Sequence, residues 1–297
     1  FHNNSIKSLA LDGNGDLLAG TDNGLYVYHN DVTPLQHIIH DSRNIQSLTN
    51  NIIWNIFADQ EHNIWLGTDY GISLSRYNSA LQFIPISQIT GTGDGNQFYS
   101  LFRDSKGFYW FGGTNGLIRF TDPAGDKHNA IWYRMGDKTY PLSHNRIRHI
   151  YEDKEQQLWI ATDGSINRYD YATRQFVHYN IVDSTGTYNT NWTYYMFEDN
   201  AGHLWISTCL GGIFVVDKHR LMQSASGQYV AEQNYSVHNG LSGMFINQII
   251  PDNEGNVWVL LYNNKGIDKI NPRTREVTKL FADELNGEKS SWARRCV

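Results

Sequence analysis

Asp59–Gly71 reads DQEHNIWLGTDYG. It is a polar turn, a short apolar strand ending at Trp65–Thr68, and a second turn. The pattern recurs as DGNGDLLAGTDNG from Asp12, DSKGFYWFGGTNG from Asp104, DKEQQLWIATDG from Asp153, DNAGHLWISTCLGG from Asp199 and DNEGNVWVLLYNNKG from Asp252. The six Asp positions lie 47, 45, 49, 46 and 53 residues apart, while the large apolar residue always follows six positions later, at Leu18, Trp65, Trp110, Trp159, Trp205 and Trp258. A rigid offset inside a loose period is the mark of one supersecondary unit repeated with variable connecting loops.

Each copy carries its own turn chemistry. Asp at the head of the first turn can accept backbone N–H groups further round it, and Gly15, Gly107, Gly202 and Gly255 follow at the fourth position, where a positive φ costs glycine nothing. His62 and Gln156 stand there in the other two copies, at an expected cost of a few tenths to about 1 kcal/mol each. Asn23-Gly24, Asn115-Gly116 and Asp163-Gly164 mark the second turn as a tight hairpin. A β-compatible run precedes the first turn (Ile52–Phe57, Arg146–Tyr151), another follows the second, and a weaker fourth run closes each copy. Four antiparallel strands in about 45 residues make a β-propeller blade. The recurrent Trp is expected between blades, where its burial contributes about 2–3 kcal/mol.

The expected fold is therefore all-β, with six complete blades at about 1–49, 50–93, 94–143, 144–189, 190–245 and 246–289, less than about 5% helix, and the first strand of a seventh blade at 290–297. Within the blades, the segments 89–96, 122–129, 182–189 and 219–227 read as polar surface loops. The array counts as one domain. It starts inside a repeat without Met, which reads as a piece of a longer chain.

Units of this form, Asp-x-x-Gly-x-x-Trp-[IVL]-[GSA]-Thr-x-x-Gly preceded by approaches such as PLSHNRIRHIYED (Pro141–Asp153) and GLSGMFINQIIPD (Gly240–Asp252), resemble the two-component regulator propeller repeat. The resemblance covers essentially the whole chain. It departs at Ser207–Leu210, where the turn is longer, and at Leu260–Tyr262, which replaces the Gly-Thr. It implies the extracytoplasmic sensor region of a Bacteroides-type hybrid histidine kinase: periplasmic, non-catalytic in this segment, and adjoining further propeller or signalling domains of the same chain. A glycan-derived ligand is the expectation that the amides, arginines and aromatics of one rim add. A homodimer is a further expectation. Streptogramin lyases, whose repeats also carry Asp-Gly and Trp, supply an enzymatic alternative, and a protein-docking platform a third.

Composition narrows the partners. With 297 residues, net charge −6 and no Lys/Arg run, nucleic acid is not expected. No apolar run reaches the length of a membrane span. The two cysteines, Cys209 and Cys296, form no framework, and they bridge only if folding brings them together. No nucleophile elbow, zincin, P-loop or dinucleotide motif occurs, and one carboxylate per turn falls short of what calcium requires. No cofactor or metal is expected. His149 with Glu152 is the nearest pairing for a base.

Strand order places the blade-opening loops and second turns on one rim and the Asp turns on the other. Variation on a rigid scaffold is where specificity is built, so the opening rim is the expected binding face. The candidate ligand residues are Asp69, Tyr70, Gln97, Asn145, Arg146, Arg148, Asn191, Trp192 and Tyr262. Asn51, Trp54, Tyr99, Tyr194, Asn247, Asn263 and Asn264 share the rim, with Trp54 and Tyr194 the more expected to pack. Alternation along a strand would put Arg146 and Arg148 on one face, where a guanidinium could hold a carboxylate or sulfate and Trp192 could take a sugar ring.

Overall fold

The computed structural model describes residues 5–30, 34–77, 83–85, 96–121, 130–139, 141–224, 228–262 and 266–280. It consists of blades of a β-propeller, in two compact units divided between Tyr133 and Arg134.

The first unit holds three four-stranded antiparallel sheets in chain order. They are β1 (Ile6–Leu11), β2 (Leu17–Thr21), β3 (Gly24–Tyr28) and β4 (Gln36–Ile38); β5 (Ile53–Ala58), β6 (Ile64–Thr68), β7 (Gly71–Ser75) and β8 (Phe83–Pro85); and β9 (Phe98–Arg103), β10 (Tyr109–Gly113), β11 (Gly116–Phe120) and β12 (Ile131–Tyr133). The second unit continues with β13 (Ile147–Glu152), β14 (Leu158–Thr162), β15 (Ser165–Asp170) and β16 (Gln175–Val182), then β17 (Thr193–Glu198), β18 (His203–Thr208) and β19 (Ile213–Asp217). Helix α1 (Lys218–Gln223), β20 (Gln228–Val230) and β21 (Gln233–Tyr235) follow, and β22 (Ile246–Pro251), β23 (Val257–Leu261), β24 (Ile267–Ile270) and β25 (Val277–Leu280) make the last sheet. Helix among the described residues is limited to α1 and a 3-10 turn at Val237–Asn239.

Burial follows the middle strands. Trp65 is enclosed by Tyr109 and Phe111 of the next blade, with ring centroids 5.1 and 5.3 Å away. Trp159 joins a cluster that includes Met196, Leu204 and Ile206 of the following blade. Trp110 and Trp205 are equally enclosed, but Trp258 is only partly buried, and the Lys269 ammonium lies 5.1 Å from its ring.

The turns follow the sequence logic with one change. Gly15, Gly107, Gly202 and Gly255 take φ between 84° and 86°, and His62 and Gln156 adopt the same left-handed conformation at 62° and 61°. In the Asp163-Gly164 turn it is Ser165, at φ 78°, that takes the left-handed place. Its hydroxyl donates to the Tyr179 carbonyl, which holds the residue there. Gly164 is needed for a different reason: a Cβ would stand 2.9 Å from the Ser143 carbonyl oxygen.

The segment 219–227 was expected to be a loop. Its described part instead begins in α1, capped by the Asp217 carboxylate, and leads into β20, which pairs parallel to β16 as a fifth strand on the preceding sheet. Lys218, wholly buried, anchors this excursion: its ammonium lies 2.9 Å from Glu198, 3.2 Å from Asp153 and 3.6 Å from Glu155. The expected seventh-blade strand at 290–297, the segments 89–95 and 122–129, and Asn263, Asn264 and Cys296 lie outside the described residues.

Candidate functional site

Every innermost strand carries a β-bulge at one repeat position. The register skips Lys7, Trp54, Tyr99, Arg148, Tyr194 and Asn247, each five residues before its repeat Asp. A bulge inserts one unpaired residue and re-aims its side chain, so each blade presents one residue at its opening end free of strand alternation. Arg146 precedes β13 and Arg148 is the bulged residue, so alternation is not what relates them.

In the first unit the bulged residues make an aromatic and polar arc. The Lys7 ammonium sits 4.7 Å from the Trp54 ring, and Trp54 meets Tyr99 edge-on at 5.5 Å. Asp69 accepts from Trp54 Nε1 at 2.9 Å and from Gln97 Nε2 at 2.7 Å, while Gln97 accepts from the Tyr99 hydroxyl. Asp69 and Gln97 are thus committed to one another across adjacent blades. Tyr70, beside them, is about half exposed.

In the second unit Arg146 and Arg148 converge on Asp163, whose side chain is 5% exposed. Arg148 donates through Nε at 2.8 Å and through Nη2 at 3.3 Å, and its guanidinium lies 4.6 Å from the Tyr194 ring. Arg146 donates more loosely, at 3.5 Å, and is 45% exposed. Two guanidinium groups share one carboxylate, and Arg146, the more exposed of them, gives it a single long bond. Burial pushes the Tyr194 hydroxyl and the Cys209 thiol above their ordinary pKa values, partly offset by Arg148. Cys209 is buried and free.

The Trp192 backbone N–H donates to the Asp163 carbonyl at 3.0 Å, which ties the backbone of Trp192 to the residue that holds both arginines. Trp192 is 49% exposed and held at φ 55°, a conformation strained for a bulky side chain. With Asn191, Tyr188 and Leu210 it lines a cavity of about 220 Å3. An exposed guanidinium, a strained open indole and an adjoining hollow can together hold a polar ligand with a flat face.

The other expected residues divide. Asn145 is engaged structurally, its side-chain oxygen accepting from the Met135 N–H at 2.7 Å. Tyr262 is half-buried and stacks on Phe245 at 4.4 Å, and Phe245 in turn meets Tyr194 at 5.3 Å. His149 stacks on Tyr195 at 3.8 Å, and its Nδ1 faces the Met196 N–H at 3.3 Å. Lys7 and Asp163 were not among the expected site residues. Both had a signal in the repeat: Lys7 is five residues before Asp12, as Arg148 is before Asp153, and Asp163 is ten after Asp153, as Asp69 is after Asp59. Among the described residues no group of three or more His, Cys, Asp or Glu side chains is placed to hold a metal ion, and no helix is long and apolar enough to cross a membrane.

A two-component regulator propeller model matches residues 47–70, 92–115 and 141–164. The chain is 27% identical over 205 residues to Histidine kinase P4 of Formosa agariphila, covering 64% of this chain and 13% of that protein. It is 95% identical, over 98% of its length, to part of the extracellular domain of a candidate hybrid two-component system of B. thetaiotaomicron, of which it covers 39%, with a TM-score of 0.68. Virginiamycin B lyase of Staphylococcus aureus, 11% identical over 93% of this chain and 84% of the lyase, shares the fold at a TM-score of 0.66. The chain thus spans about two fifths of the solved extracellular domain and about an eighth of the curated kinase.

Proposed function

Because the chain belongs to the two-component regulator propeller family, we propose that it is a non-catalytic, periplasmic sensor segment of a hybrid two-component protein, and that it recognises a saccharide on the opening rim of its second unit. The observation that carries the reading is the Arg146–Asp163–Trp192 arrangement. A buried carboxylate holds an exposed guanidinium, and the same residue's carbonyl holds the backbone of Trp192, whose side chain is exposed. Amphipathic rings beside a charge-bearing donor suit a ligand with hydroxyls, an acidic group and an apolar ring face. Kinship to an extracellular domain supports the location. Neighbouring propeller or signalling domains of the same chain, and a second copy of it, are the partners this reading implies. The lyase likeness is one of fold, and fold alone does not transfer chemistry.

Titration calorimetry of the chain against acidic oligosaccharides tests the reading. Binding that is lost in Trp192→Ala supports it. Failure of every acidic sugar to bind, or turnover of one of them, would count against it.

A further inference from the structure

The small hollow beneath Trp192 does not end there. Thr187 and Tyr188 also line a second cavity of about 450 Å3, whose far wall is the stretch Ala231–Asn234 with Ser236, His238 and Asn239 of the capped 3-10 turn. All of it belongs to the second unit, and its volume falls within the range of roughly 300–1,000 Å3 typical of small-molecule sites.

Its walls are set before any ligand arrives. The near loop is closed by Asp183, whose carboxylate takes the Tyr188 N–H at 2.7 Å and the Thr185 hydroxyl at 2.5 Å. Burial opposes, but these bonds outweigh it and hold the Asp183 carboxyl below the usual range. The far turn is fixed by a reciprocal cap between Ser236 and Asn239. Between them Ala231 donates to the Val182 carbonyl at 2.9 Å, which pins the floor to the preceding sheet. Walls that need no ordering spend little of a ligand's binding energy on rearrangement.

The chemistry of the lining differs from that around Arg146. Among the described residues no Lys or Arg contributes to it. The Glu232 carboxylate is used by the Asp217 N–H and the Tyr229 hydroxyl. What remains is hydroxyls, side-chain amides and two rings, Tyr188 and His238, which are hydrogen-bonded to one another at 3.4 Å in the cavity wall. Such a set pairs with a neutral polyol, offering both donors and acceptors and ring faces for apolar sugar patches.

We propose that the cavity lined by Tyr188, Gln233 and His238 binds a neutral segment of an oligosaccharide whose acidic end lies on Arg146 and whose chain passes over Trp192. The proposal rests on the saccharide reading above and adds to it a second site that takes uncharged sugar. The ligand class is then a mixed acidic and neutral oligosaccharide rather than a uniformly charged one.

Two sets of probes separate the two readings: linear neutral trisaccharides of glucose, galactose, mannose, xylose or arabinose, and the same trisaccharides ending in a uronic acid. Calorimetry on the full chain is expected to show a neutral trisaccharide binding, with affinity at least tenfold weaker in Gln233→Ala and in Tyr188→Ala and unchanged in Arg146→Ala. Its uronic-acid counterpart should lose affinity in all three. Gln233 lies outside the packed clusters and serves as the control against loss of folding at Tyr188. If acidic sugars bind but no neutral trisaccharide does, or if neutral binding survives both cleft substitutions, the cleft proposal falls and the rim reading stands. If neutral sugars alone bind, with Arg146→Ala and Trp192→Ala silent, the rim reading falls and the cleft remains.

Discussion

The indole Nε1 of Trp159 donates to Oδ2 of Asp153 at 2.9 Å, with both side chains buried. The same bond joins Trp65 to Asp59, Trp110 to Asp104, Trp205 to Asp199 and Trp258 to Asp252, at 2.7–3.0 Å. The other oxygen of each Asp takes backbone N–H groups two and four residues on, as Asp153 does from Glu155 and Gln157. One carboxylate thus closes the turn and positions the ring. That is why the Asp-to-Trp spacing stays at six while the loops around it vary.

Replacing Trp159 by Phe keeps most of the ring and removes the donor. Denaturant titration should show a loss of about 1–3 kcal/mol, the cost of breaking a buried bond to a charged acceptor. Trp159→Ala should lose about 3–5 kcal/mol through the cavity as well. Equal stability of the Phe variant and the parent would mean the bond does not set the spacing.

Lys218 stands between two buried carboxylates, Asp153 and Glu198. Lys218→Met should cost about 3–5 kcal/mol, because it leaves both without a counter-charge. Adding Glu198→Gln should recover part of that loss. Thermal or urea unfolding of the single and double variants measures both effects, and additive losses would contradict the pairing.

Arg146 and Arg148 should separate in function. Arg146→Ala is expected to weaken acidic-sugar binding by about 1–3 kcal/mol with stability nearly unchanged, as is Trp192→Ala. Arg148→Ala should instead lower stability by about 1–3 kcal/mol, because Asp163 keeps only its longer bond to Arg146. Calorimetry and unfolding on the same preparations distinguish the two patterns.

Acid should destabilise the chain through Asp199 and Asp252. Partial burial raises the Asp252 carboxyl, but hydrogen bonds from Asn256, the Trp258 indole and the Asn256 and Glu254 N–H groups outweigh it and lower its pKa to about 2. Asp199 is lowered in the same way. A depressed native pKa gives stability that is complete above the unfolded value and is lost as pH falls through the native one. Stability should therefore hold above about pH 5 and fall steeply between about pH 4 and pH 2. Asp252→Asn should flatten that fall, which circular dichroism at a series of pH values can follow.

The repeat made the blades legible because its information is local. Turn residues, strand periodicity and the Asp–Trp spacing all act within a few positions, and the six sheets form where that spacing places them. The bulges were not legible, since a strand carrying one extra residue reads like any other until its partner's register is known. The same limit applied to Arg146 and Arg148, which meet through Asp163. Nor did the local pattern of 219–227 disclose that the chain would leave its own blade, because β20 finds its partner in β16, more than forty residues earlier. The sequence by itself determined the blade, its turns and the burial of four of its five repeat tryptophans, Trp258 being only partly buried. Tertiary structure alone decided which rim residues are spent on one another, as Asp69 is on Gln97, and which, like Trp192, stay open. The physical reason is that charge pairing and exposure depend on neighbours brought together across blades, at distances the sequence does not encode.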